Sequence, residues 1–162
     1  MAGKSLRDID CAISQTLAVV GEWWTLMIVR NAFHGMHTFD AFQENLGVST
    51  SVLASRLKTL TEANIFRREQ SAVDGRSFEY HLTEKGKDLY TLIIAMKDWG
   101  EKWYPNKRGS RIDLLEKSTG NPIRGAVVVA SDGRVLNPRD VLPVAGPGAD
   151  EAMLKLLESR EL

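Results

Sequence analysis

Residues 38–86, "TFDAFQENLGVSTSVLASRLKTLTEANIFRREQSAVDGRSFEYHLTEKG", change hydrophobic period twice. Thr38 is placed to cap a short helix whose inward residues are Phe39, Phe42 and Leu46, and "GVS" is a tight turn. Ser49 caps a longer helix, on which Leu53, Leu57 and Leu60 fall within about 60° of one another at 100° per residue. Asn64 ends that helix where a left-handed residue is needed, a place Asn fills second to Gly. The period then drops to two. In "FEYHL", Phe78, Tyr80 and Leu82 share one side and Glu79 and His81 the other. Residues Ile65 to Gln70 make the partner strand, and Asp74-Gly75 carries the turn signal. Thr83 caps a further helix that runs to about Trp103.

Upstream, Ile9, Ile13, Leu17 and Val20 step at helical spacing up to Gly21. "EWWTLMIVRNAFHG" follows, with Trp23, Leu26, Met27 and Phe33 on a broad apolar face closed by Gly35. On the last helix of the module, Leu89, Leu92, Met96, Trp99 and Trp103 keep a three-four rhythm, and Ile93 widens the stripe. That seam can pack on its own domain or on a second copy, and the rhythm alone does not choose. After Pro105, "NKRGS" is a polar hinge. "GAVVVASDGRVLNP" predicts a hairpin with Asp132-Gly133 at its turn, and "ADEAMLKLLES" a short terminal helix.

The chain has 162 residues, enough for one domain with an ordered extension. Lys plus Arg equals Asp plus Glu, 21 against 21, so any case for an anionic partner rests on local patches. Cys11 is the only cysteine, which excludes an internal disulfide and a multi-cysteine zinc site. The N-terminus lacks a signal-peptide core and no apolar run approaches the roughly 20 residues that span a bilayer. The expectation is a cytoplasmic chain without a membrane partner. His34, His37 and His81 form no metal-spaced pair, and no nucleophile elbow, phosphate loop or dinucleotide fingerprint appears. "AGPGAD" lacks the strand-to-helix setting of a phosphate cradle. Neither an enzyme nor a cofactor is expected.

Helix, helix, short helix, turn, longer helix, hairpin, long helix is the layout of a winged helix-turn-helix. The helix after Ser49 would enter a major groove, and the hairpin would flank it as a wing. Away from the leucine stripe lie Ser51, Ser55, Lys58 and Glu62, with Thr50 and Ala54 beside them. Small hydroxyls and a lysine suit close approach to bases and phosphates. On the wing, Arg67, Arg68 and Arg76 are the expected phosphate or minor-groove contacts, although Glu69, Asp74 and Glu79 among them also fit a solvated charged face. Arg56 projects from the edge of the stripe and is given a mixed role, serving the fold by pairing with Glu79 as well as DNA.

The set formed by Cys11 with Ile13, "GEWWTLMIVRNAFHG", "TFDAFQENLGVSTSVLASRLKTL", "IFRRE", "FEYHLTEKG" and "DWG" resembles the HxlR-type branch of the MarR-like transcriptional regulators over roughly residues 8–103. The resemblance implies a dimeric DNA-binding regulator joined through its terminal helices, with Thr50, Ser51, Ser55 and Lys58 on the reading helix. Asn64 departs from the glycine usual there, and the tail from Arg111 lies outside the shared module. Some relatives carry cysteine pairs in such tails. This one has none, so a hairpin packing on the dimer is expected instead of a metal site. The resemblance also includes cysteine sensors. Cys11 is therefore either a small buried hydrophobe or a redox or electrophile sensor, with acidic "DIDCAIS" expected to raise its thiol.

The combined expectation is a mainly α fold with a small β-hairpin wing. Residues 1–107 form a dimeric winged helix-turn-helix, and 108–162 an extension containing a hairpin and short helix. The partners are double-stranded DNA and a second copy, with a small-molecule or oxidant effector in addition. Two other readings stay open. The winged helix could bind protein partners in place of DNA. Alternatively, Trp23, Trp24, Phe33, Tyr90, Met96 and Trp99 could line an effector cavity rather than plain core.

Overall fold

A computed structural model describes residues 5–72 and 74–159. The described residues divide into two units, one up to Asp113 and one from Leu114 onward. In the first unit, α1 (Ala12–Val20), α2 (Trp23–Phe33), α3 (Phe39–Leu46) and α4 (Thr50–Glu62) precede an antiparallel hairpin of β1 (Phe66–Gln70) and β2 (Phe78–Leu82). Helices α5 (Glu84–Lys87) and α6 (Tyr90–Trp103) close the unit.

The helix starts follow local chemistry. Thr38, Ser49 and Thr83 each accept a hydrogen bond from the first turn they precede, at 3.3, 3.4 and 3.1 Å. Gly47 ends α3 with φ 62°, and Asn64 takes φ 57° just past α4, the left-handed conformation expected of it. The core joins Ile28 and Val29 of α2, Phe42 of α3, Leu53, Leu57 and Leu60 of α4, and Ile65 and Phe66 at the hairpin's entry. Phe66 sits between Phe42 and Tyr80, at ring separations of 6.2 and 6.5 Å.

Two details depart from expectation. Helix α2 is rotated from the expected face: it buries Thr25, Ile28, Val29 and Asn31, while Trp23 is 85% exposed. Its sequence is apolar nearly all round, so periodicity could not select the inner side. The buried Asn31 is satisfied, donating to Asn45 at 2.7 Å and accepting from Arg30 at 2.6 Å. The single helix expected after Thr83 is two, because the Leu89 N–H donates back to Gly86, three residues earlier, and tightens the chain between them. On α6 only Ile94 is buried. Leu89 and Ile93 pack on the core, whereas Leu92, Met96, Trp99 and Trp103 are exposed.

The second unit contains two small chain reversals and α7 (Glu151–Glu158), capped by Asp150 at 2.8 Å. One reversal pairs Val129 with Val135 around Asp132-Gly133, where Gly133 has φ 83°. It is a single bridge flanked by two cross-chain hydrogen bonds, shorter than the hairpin expected. The other pairs Leu115 with Pro122.

Candidate nucleic-acid interface

Helix α4 turns its leucines inward and leaves Thr50, Ser51, Ser55 and Lys58 exposed along one side. Its first turn is held from α3, where Gln43 Nε2 donates to Thr50 Oγ1 at 2.8 Å. Ser49 and Ser51 hydroxyls meet at 3.3 Å. The beginning of α4 therefore presents hydroxyls on a fixed backbone, and Lys58 extends a cation one turn later. Its contact to Glu62 is a loose 3.8 Å surface pair, which competes weakly with an anionic ligand.

Arg56 belongs to the fold. Its Nη2 reaches Glu22 at the mouth of α2, at 2.9 Å, and its side chain is 28% exposed. The expected partner Glu79 is engaged elsewhere, accepting from Ser71 at 2.9 Å and contacting His81 at 3.1 Å. Packing of α2 against α4 brings Glu22 to Arg56, a juxtaposition that hairpin reasoning could not see. The Ser71 hydroxyl, chiefly, holds the Glu79 carboxyl below its usual range, and His81 adds to it.

The wing separates the arginines. Arg67 pairs across the hairpin with His81 and Arg68 with Tyr80, so adjacent side chains leave opposite faces. Arg67 Nε binds Glu69 at 2.6 Å. Arg68 lies over the Phe78 ring, 3.4 Å from its centroid, and both residues are exposed. Arg76 stands exposed on the turn, its N–H donating to the Asp74 carboxylate at 3.0 Å. Arg68 and Arg76 are thus exposed cations, each without an acidic ion-pair partner among the described residues. Phe78, which orients Arg68, was missed in the sequence; its place directly across from Gln70 and diagonal to Arg68 was the available signal.

Cys11 is half-buried at the N-cap of α1 and does not lie in the core. Its thiol closes no capping hydrogen bond, yet it is drawn below its ordinary value, first by the Ser14 backbone N–H, then by the Ser14 hydroxyl and the Ile13 N–H. Asp10 pulls the other way and loses. Cys11 is thus only partly buried, and in place of the raised thiol expected from the sequence the hydrogen-bond donors at the start of α1 outweigh Asp10. No group of residues suited to a metal ion occurs among the described residues, and no single described helix is long and apolar enough to cross a membrane.

The HxlR-like helix-turn-helix family profile matches residues 19–108. An uncharacterised HTH-type transcriptional regulator of Mycobacterium tuberculosis is 35% identical over 137 residues, covering 85% of this chain and 87% of its own. The crystal structure of PA1607, described as a candidate transcription factor, is 34% identical with TM-score 0.80, covering 88% of this chain and 99% of that one. The redox regulator HypR in its oxidised form is 29% identical with TM-score 0.52, over 57% of this chain and 96% of its own. The first two extend into the C-terminal unit; the last covers little beyond a winged-helix module.

Proposed function

This chain belongs to the HxlR-like helix-turn-helix family of DNA-binding transcriptional regulators, and on that premise we propose that it works as a homodimer on a palindromic operator. In this reading α4 enters the major groove through Thr50, Ser51, Ser55 and Lys58. Arg68 and Arg76 follow the backbone or minor groove beside it, and Arg56 serves by holding α4 on α2. The bare hydroxyl- and lysine-bearing side of α4 carries the proposal. Dimerisation draws on the exposed row Leu92, Met96, Trp99 and Trp103, with Leu89 bracing it from the core. Selection of bound fragments from genomic DNA, with the size of the complex measured, tests both parts. Symmetric half-sites about one helical turn apart, bound by two chains, are expected. A short asymmetric site bound by one chain refutes the reading, as does an intact dimer in both Leu92→Ala and Trp99→Ala.

A second layer is sensing through Cys11. It is supported by the partly exposed, lowered thiol and by the similarity to a chain named as a redox regulator. In this reading oxidant or electrophile modifies the thiolate at the start of α1 and alters operator affinity.

A further inference from the structure

On the bare side of α4, Thr50 carries a hydroxyl whose hydrogen-bonding sense is decided by another helix. Serine and threonine hydroxyls both donate and accept, so on a base edge they meet acceptors and amino groups alike. Further along α4 the threonine protons are spent on the helix itself. Thr59 donates to the Ser55 carbonyl at 3.1 Å and Thr61 to the Leu57 carbonyl at 2.8 Å, each four residues back. Thr50 is the first residue of α4, and four residues before it lies Leu46, the last of α3. Its proton therefore has no carbonyl of its own helix to meet. Ser49 and Ser51 hydroxyls face each other at 3.3 Å, where either can donate, so their sense stays open.

Gln43 closes the question for Thr50. It is half-buried in the second half of α3, and its backbone carbonyl accepts the Gly47 N–H at 2.9 Å, which seats it against the turn. Its side-chain amide reaches from α3 to α4: Nε2 donates to Thr50 Oγ1 at 2.8 Å and lies 3.5 Å from the Val48 carbonyl. A carbonyl only accepts, so the nitrogen end of the amide belongs on this side and the oxygen end does not. Thr50 Oγ1 is thereby made an acceptor toward its own protein. Among the described residues the Thr50 side chain makes no other hydrogen bond, and the residue is exposed. One lone pair is filled, and the proton is left for a partner outside.

We propose that Gln43 is a positioning residue for operator reading: it holds the Thr50 hydroxyl as a donor, so that Thr50 selects a hydrogen-bond acceptor on the operator. The inference rests on α4 entering the major groove. There guanine O6, thymine O4 and the purine N7 atoms accept, whereas adenine N6 and cytosine N4 carry amino groups that donate. A hydroxyl free on all sides takes either kind, and one already accepting from Gln43 favours the first. In this scheme Gln43 acts through Thr50, without a DNA contact of its own.

The test compares wild type, Gln43→Met, Thr50→Val and the double variant. Each selects from a pool of random-sequence duplexes, and affinities are then measured on the duplex that wild type enriches. Met keeps the length of Gln without its donor, and Val keeps the shape of Thr without its hydroxyl. Thr50→Val should weaken binding about tenfold and Gln43→Met about threefold, while adding Gln43→Met to Thr50→Val costs nothing further. At one position in each half-site wild type is expected to exclude the amino-bearing base and Gln43→Met to admit it. A loss spread equally over every duplex, with Gln43→Met still silent in the Thr50→Val background, makes the acceptor a phosphate oxygen instead of a base edge. An equal cost of Gln43→Met in both backgrounds overturns the proposal, because Gln43 then acts apart from Thr50. A wild type that enriches no duplex removes the operator reading and this inference with it; a wild type that selects beside an indistinguishable Gln43→Met removes this inference alone. Far-UV circular dichroism and urea midpoints establish that the variants fold. The contact is also checked without DNA: the Gln43 side-chain amide proton signals should move in Thr50→Val, and unmoved signals overturn it.

Discussion

Replacing Gly86 by Ala tests how the wing is anchored. Gly86 is buried in α5, and a Cβ there would stand 2.3 Å from the Ile65 carbonyl oxygen and 3.0 Å from Leu82 Cδ2. Ordinary carbon–oxygen contacts settle near 3.3 Å or beyond, so about 1 Å must open between α5 and the entry to β1. The obstacle is backbone and cannot swing aside. The Ile65 carbonyl also accepts the Thr83 N–H at 3.0 Å and its hydroxyl at 3.2 Å, and both are strained by the shift. Overpacking costs about 1–3 kcal/mol and a weakened hydrogen bond about 1 more, against up to about 1 regained because Ala suits a helix better than Gly. The net is a loss of about 1–3 kcal/mol. With a urea slope of about 2 kcal/mol per molar, the midpoint should fall by roughly 0.5–1.5 M. Unfolding is followed by tryptophan fluorescence and far-UV circular dichroism at one protein concentration, since a dimer's stability depends on it. Gly100→Ala is the control: it meets nothing within 4 Å and should gain up to about 1 kcal/mol. If the two variants shift alike, steric anchoring of the wing at Gly86 is wrong.

Four further outcomes follow from other parts of the molecule. Asn64 is already left-handed at φ 57°, so Asn64→Gly should be neutral or stabilising and Asn64→Ala should lose about 1 kcal/mol, both read from urea midpoints; equal midpoints would refute the strain argument. The Glu79 carboxyl is held below its usual range chiefly by Ser71, so its stabilisation is present above the unfolded value and is lost as pH falls through the folded one. Ser71→Ala should therefore raise the Glu79 titration seen by carboxyl NMR and flatten the acid limb of stability, and an unmoved titration would contradict this. Arg68→Ala and Arg76→Ala should each reduce the salt slope of operator binding by roughly one unit, while a slope equal to wild type returns both to the solvated surface. Cys11→Ser should bind operator normally yet ignore diamide or a quinone; a wild-type response in that variant ends the sensor reading.

What the sequence disclosed was what one element decides alone. Capping hydroxyls at Thr38, Ser49 and Thr83, the left-handed Asn64, the Leu53/Leu57/Leu60 stripe and the strand alternation of "FEYHL" each depend on a few neighbouring residues, and each appears as expected. What it hid depends on two elements meeting. The rotation of α2 hides because that helix is apolar on most sides, so only its neighbours choose the buried face. The Glu22–Arg56 pair spans 34 residues. The His37–His81 stack arises because the chain before α3 joins the sheet, although no alternating run marks it as a strand. Cys11 misled for a related reason: its acidic neighbours are visible in the sequence, but the direction of the first amides of α1 is not.

The pair Arg67-Arg68 shows how closely function can depend on strand period. In the chain they are neighbours of equal chemistry, and both suit a phosphate. In the hairpin they are on opposite faces: Arg68 shares the face of Phe66 and Tyr80 and lies flat on exposed Phe78 beyond the core, and Arg67 shares the other face with His81 and Glu69. A residue inserted in β1 ahead of Arg67 would turn both arginines to the opposite face, moving Arg67 to the place across from Tyr80 and Arg68 to the place across from Glu79. On the reading proposed above, Arg68 is the one of the two left to meet a polyanion, because Arg67 is held to Glu69 at 2.6 Å.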